Sequence, residues 1–208
     1  MDAKIIKLKP ILKKDKTREV LLDKAAQVFS RQGYQSASLK EIASAAGMKA
    51  GSLYYHFASK EVLMIEVLER SIKFISDTVA EEIEKLDDDY PFEDALNAYI
   101  RGHLTAILKS PDYTTTTIRN NGQVPKSVQA ALHPKREHYE QQWRNLMIQG
   151  KAEGVIRADV DEQLLRLMVL GCLNWSSVWY KSGGASIDTL VDQYTDVFLN
   201  GCRKQGVK

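Results

Sequence analysis

The chain has 208 residues, a formal charge of +2 and two cysteines, Cys172 and Cys202. That length supports one or two packed domains. Two thiols make neither a disulfide framework nor a zinc site, and no run of about 20 apolar residues exists to span a membrane. The basic N-terminus lacks the unbroken apolar stretch and cleavage site of a signal peptide, so a reduced, cytoplasmic protein is expected.

Residues 1–60 carry 12 Lys and Arg against 5 Asp and Glu, which leaves the remainder acidic. A basic head on an acidic body fits a nucleic-acid-binding segment joined to a domain with another task. Residues 1–16, with clustered lysines and Pro10, read as a basic flexible arm. A first helix is expected over residues 17–32, with Val20, Leu21, Ala25, Val28 and Phe29 on its apolar face and Gly33 ending it. Next comes SLKEIASAAGMKAGSLYYHFASK, residues 38–60. Ser38 and Glu41 have capping-box spacing, and Leu39, Ile42, Ala43 and Ala46 line one face of a short helix. Gly47 stands where a helix end needs a left-handed backbone. A second short helix is expected over residues 50–55, with Leu53 as its inward aliphatic anchor.

This is the division of labour of a helix-turn-helix, in which one helix packs and the next enters the DNA major groove. Small Ala50 and Gly51 permit close approach, and Gly51 would otherwise cost a helix roughly 1 kcal/mol against alanine. Lys49, Ser52, Tyr54, Tyr55, His56 and Lys60 carry donors for bases or phosphates.

A long helix is expected from Ser59 to about residue 86, ended by the acidic run 87–89 and Pro91. An amphipathic helix follows over 92–109. YTTTTIRNNGQVP, residues 113–125, reads as a short irregular helix whose side chains line something. Pro125 opens a helix to about residue 153 that Pro134 should kink or split. Two helices close the chain, over about 161–182 and 186–203. The first is apolar nearly all round, so it must be buried on more than one side. A matching helix of a second copy would do that, which points to a symmetric homodimer built from these two helices. Asn174 and Trp175 sit mid-helix, with Trp179 a turn on. With Tyr99, His103, Tyr113, Tyr139 and Trp143 they are candidates for an aromatic pocket holding a few polar groups. Arg119 is a candidate anion contact.

Residues 25–63 resemble the TetR family of transcriptional regulators. The resemblance is carried by Ala25-Ala26, Phe29, Gly33-Tyr34, Ser38, Ile42-Ala43, Ala46-Gly47, Gly51-Ser52-Leu53-Tyr54-Tyr55-His56-Phe57, Ser59-Lys60-Glu61 and Leu63. It implies an all-α fold: an N-terminal three-helix helix-turn-helix DNA-binding domain (residues 17–62) and a larger helical effector-binding and dimerisation domain (63–208). It also implies that Thr17 and Arg18 touch phosphate, and that the helix from Ser59 passes movement between the domains. REHYEQQWRNLM (136–147) and LGCLNWSSVWYKSGG (170–184) resemble the TetR-family regulators of fatty-acid, aromatic or steroid degradation, several of which respond to acyl-CoA thioesters. That likeness implies a repressor binding a palindromic operator and released by a small effector. Arg119, Lys135, Arg136 and Arg144 would be available to CoA phosphates. The alternative is a constitutive architectural DNA binder without an effector. No nucleophile–base arrangement can be assigned, and His133 and His138 are five apart across Pro134, a poor spacing for a shared metal. No catalysis, cofactor or metal is expected.

Overall fold

The computed structural model describes residues 13–120, 122–181 and 183–203. Most of the expected basic arm, residues 1–12, lies outside them. Among the described residues nine helices follow one another: α1 (Lys13–Ser36), α2 (Leu39–Ala45), α3 (Ala50–His56), α4 (Lys60–Ile83), α5 (Phe92–Lys109), α6 (Pro111–Arg119), α7 (Lys126–Ala152), α8 (Glu162–Trp179) and α9 (Ile187–Cys202). No strand accompanies them; an isolated bridge joins Ile156 to Arg203.

Local chemistry sets many of the boundaries. Gly33, at φ 79° and ψ 166°, breaks α1 where the sequence placed its end. The reciprocal Ser38–Glu41 cap opens α2, and Gly47 takes φ 68° after it. Ser59, Asp161 and Ser186 cap α4, α8 and α9 by accepting from the backbone N–H three residues on. Each such cap contributes about 1 kcal/mol.

Two hydrophobic clusters divide the interior. The first joins α1, α2 and α3 to the N-terminal half of α4, through Leu21, Phe29, Ile42, Leu53, Leu63 and Ile72 among others. It also takes in Val124, Val128 and Leu132, so α7 reaches into the N-terminal core. The second runs from Ile75 and Val79 on α4 through α5, α7, α8 and α9, with Trp143 wholly buried. A Cβ on Gly102 would fall 2.9 Å from the Thr78 carbonyl oxygen, so α5 crosses α4 at a distance only glycine permits.

One expectation is corrected. Pro134 neither splits nor ends α7, which continues as one helix. Pro134 and Ala130 are exposed, so the carbonyl that loses its N–H partner faces water. Within the single chain, Leu165, Val169 and Leu173 of α8 face the core, while Leu164, Leu167, Met168, Trp175, Val178 and Trp179 are exposed.

Candidate nucleic-acid interface and interhelical cavity

Leu53 and Phe57, both fully buried, hold α3 against the N-terminal core. The opposite face is outward: Lys49, Gly51, Ser52, Tyr54 and Tyr55 are exposed, with Ala50 half-buried beside them. Open space surrounds Gly51, so nothing inside the chain demands a glycine there. His56 is half-buried, edge-on to Tyr55 at 5.3 Å between ring centroids.

Other residues read from the sequence as DNA contacts are engaged inside the chain. The Lys60 ammonium lies 2.8 Å from the Tyr34 carbonyl oxygen and 3.0 Å from that of Ala37, and 4.4 Å from the Tyr34 ring centroid. It holds the frayed end of α1, where free carbonyls attract a cation. A phosphate contact would have to break those bonds. Arg18 pairs with Glu66 and stacks over Phe57 at 4.5 Å, which ties α1 to α4. The Ser38 hydroxyl serves the α2 cap, 2.7 Å from Glu41 Oε2. Thr17 is half-buried in the first turns of α1.

Between α4, α5, α6, α7 and α8 lies a cavity of about 300 Å³. Ile72 and Ile75, Thr117 and Ile118, Arg136 and Glu140, and Leu170 form its walls. His103, Tyr139 and Asn174 form a polar end. His103 Nδ1 is 2.7 Å from the Tyr139 hydroxyl, and Nε2 is 3.2 Å from Asn174 Oδ1. Burial pushes the His103 pKa down to about 4, against a smaller raising effect of Asn174, so the ring is neutral near pH 7. Burial also raises Tyr139 and keeps its hydroxyl protonated. Trp143 stands behind, edge-on to Tyr99 at 5.1 Å and to His103 at 6.1 Å. Arg136 is lowered by burial, with Glu140 opposing. Glu140 in turn pairs with the nearly buried Arg166 at 2.9 Å.

Thus Tyr99, His103, Tyr139, Trp143 and Asn174 converge, and three of them line the cavity. Four candidates go elsewhere. Tyr113 donates to Asp23 of α1 at 2.8 Å, and Arg119 donates to the Ser30 carbonyl at 3.1 Å. Trp175 and Trp179 lie on the exposed face of α8. Of the other cations offered to a phosphate, Lys135 pairs with Glu69 and Arg144 with Glu137.

Sequence reasoning missed the job of α6. Asn120 Oδ1 accepts the buried Tyr34 N–H at 2.6 Å, and Thr116 donates to the Ala26 carbonyl at 3.0 Å. Ser30 donates to Asp112 at 3.2 Å. One face of α6 therefore grips α1 while Thr117 and Ile118 wall the cavity. The available signal was the run of threonines with Asn120 four residues after Thr116, polar groups at helical spacing that a buried face must satisfy.

A helix-turn-helix with an outward recognition helix, set on a helical body with a pocket between its helices, defines a DNA-binding transcriptional regulator. A profile described as bacterial regulatory proteins, tetR family, matches residues 21–67, and one described as tetracyclin repressor-like, C-terminal domain, matches 89–202. The chain belongs to the TetR family. It is 29% identical over 199 residues to the HTH-type transcriptional repressor KstR2 of Mycobacterium tuberculosis, covering 91% of this chain and 94% of that protein. The solved structure of ketosteroid transcriptional regulator KstR2 of Mycobacterium tuberculosis aligns with TM-score 0.75 and 24% identity, over 90% of this chain and 95% of that one. AibR, solved in complex with isovaleryl coenzyme A and operator DNA, aligns with TM-score 0.76 and 21% identity, over 90% and 98%. No described helix is long and apolar enough to cross a membrane.

Proposed function

We propose that this chain is a homodimeric repressor that acts in the cytoplasm without catalysis, binds a palindromic operator and leaves it when a small effector enters the cavity. The observation that carries the reading is the double engagement of α6, which walls the cavity with Thr117 and Ile118 and holds α1 through Thr116, Arg119 and Asn120. A ligand that changes the position of α6 moves the N-terminal domain with no flexible segment between. The effector must bind the DNA-bound and released forms with different affinity. The long helix α4, expected from the sequence to be the link, contributes Ile72 and Ile75 to the same cavity and acts alongside α6.

Lys49, Ala50, Gly51, Ser52, Tyr54, Tyr55 and His56 make the groove and phosphate contacts. Specificity rests partly on DNA shape, since Ala50 and Gly51 offer no side-chain hydrogen bonds. The exposed apolar face of α8, continued by Val197 on α9, meets its copy in the dimer. Two-fold symmetry then sets half-sites about 34–36 Å apart. For the effector we favour an acyl-CoA thioester whose acyl part occupies the cavity. The relatives support this: KstR2 is named a ketosteroid regulator, and AibR was solved with isovaleryl coenzyme A. A cavity of about 300 Å³ sits at the small end of ligand sites, so the nucleotide stays outside it.

The test is fluorescence anisotropy on DNA from upstream of the protein's own gene, against random DNA, with and without a panel of acyl-CoA thioesters. Tight specific binding reversed by one thioester is expected. Specific binding that no thioester affects removes the effector class, and equal affinity for random DNA favours the architectural alternative.

A further inference from the structure

The polar end of the cavity has a donor–acceptor arithmetic that fixes what it can receive. A neutral imidazole offers one donor and one acceptor. Asn174 Oδ1 faces His103 Nε2, so Nε2 carries the proton and Nδ1 accepts from the Tyr139 hydroxyl. Turning the Asn174 amide over would make Nδ1 the donor. The Tyr139 O–H and one Asn174 N–H would then lack an acceptor among the described residues, whereas in the observed orientation both unpaired protons lie on the Asn174 amide nitrogen. That N–H₂ group has no hydrogen-bond partner among the described residues, and Asn174 lines the cavity.

We infer that the cavity recognises a carbonyl oxygen on a compact apolar body, received by the Asn174 amide N–H₂, with His103 and Tyr139 as positioning residues that hold the amide in that orientation. Ile72, Ile75, Ile118 and Leu170 supply the apolar contacts for the body. This rests on the cavity being the effector site. It goes further by naming the recognised group, which ketones and thioesters share.

The test uses the full chain and three probes with one ring: cyclohexyl methyl ketone, S-methyl cyclohexanecarbothioate and ethylcyclohexane. Binding is followed by calorimetry, with operator affinity measured in parallel. In the native protein at least one carbonyl probe is expected to bind about tenfold more tightly than the hydrocarbon, the discrimination of a single buried hydrogen bond. The stronger of the two identifies the source of the carbonyl. Asn174→Leu should erase the preference while leaving hydrocarbon binding intact. Equal binding of all three probes, or a preference that survives Asn174→Leu, overturns the inference. So does failure of every probe to bind while operator binding persists, and that outcome leaves the DNA-binding reading untouched. If a carbonyl probe binds through Asn174 but does not change operator affinity, the inference stands and the effector-release reading fails. Long-range ¹H–¹⁵N correlation of His103 in the native protein needs no variant. A protonated Nε2 and bare Nδ1 support the arrangement, and a protonated Nδ1 overturns it.

Discussion

At Gly51 an added methyl meets nothing in the chain. The residue is therefore costly to the helix and useful only outside it. Gly51→Ala should raise the melting temperature, through up to about 1 kcal/mol of helix propensity, while lowering specific operator affinity. Thermal denaturation and anisotropy titration read the two effects; a variant with full operator affinity removes close groove approach from the role of Gly51. His103 makes a second prediction at this scale. Its folded pKa, about 4, lies below the ordinary histidine value. Between roughly pH 6.5 and 4 the unfolded chain binds the proton and the folded one does not, so stability falls as pH falls through that window. The loss attributable to this residue is about 3 kcal/mol once pH is below both values. Urea denaturation at several pH values, native against His103→Gln, should show a flatter profile for the variant. Single residues were legible where the chemistry is local. Ser38, Glu41 and Gly47 act within four residues of themselves, and the sequence alone places them. Lys60, Tyr113 and Arg119 were not legible as internal braces. Each is a polar side chain whose partner belongs to an element more than 20 residues away in the chain, and surface exposure and bracing leave the same trace in sequence.

Among the elements, α6 does the most with the least length. Pro111 suits its first turn, and the backbone stays helical although threonine hydroxyls fold back on carbonyls one turn earlier, as Thr116 does on Asp112 at 2.7 Å, a bond that weakens a helix slightly. Asn120, just past its last residue, satisfies a Tyr34 N–H that no water reaches. Asn120→Ala leaves that amide unpaired, a cost of about 1–3 kcal/mol. Hydrogen exchange at the Tyr34 amide should accelerate selectively and the denaturation midpoint should fall. An unchanged exchange rate would show that the bond contributes nothing. Hydrophobic periodicity misses the grip of α6 on α1 because it reports apolar faces and this contact is largely polar; the spacing of Thr116 and Asn120 is its one trace in the sequence. The reverse holds for α7. Pro134 is a strong local signal, yet its effect is overridden because the exposed position lets water replace the missing bond while Val128, Leu132, Tyr139 and Trp143 keep both halves seated.

For the whole molecule, the all-helical, two-part organisation was readable from periodicity and charge. Sequence places the domain boundary inside α4, near Leu63; the two hydrophobic clusters meet further along the same helix, between Ile72 and Ile75, and α7 contributes to both. The unusually apolar helix signalled a partner, and the structure leaves one side of it uncovered. Trp175→Glu places a charge in the middle of that uncovered face. Sedimentation should show a shift from dimer to monomer at micromolar concentration, with operator affinity reduced at least tenfold and helix content preserved. A dimer of unaltered stability would move the interface elsewhere.

The three tryptophans fall on either side of this division. Trp143 is sealed in the core against the His103 ring, while Trp175 and Trp179 stand in solvent on α8. The protein thus carries two optical reporters in separate places. Blue-shifted emission that iodide does not quench belongs to Trp143 and responds to occupation of the cavity behind His103. Red-shifted, quenchable emission belongs to the α8 pair and fades from the quencher's reach as that face is covered. Ligand entry and self-association can be followed in one cuvette, without a label, from the residues the chain already has.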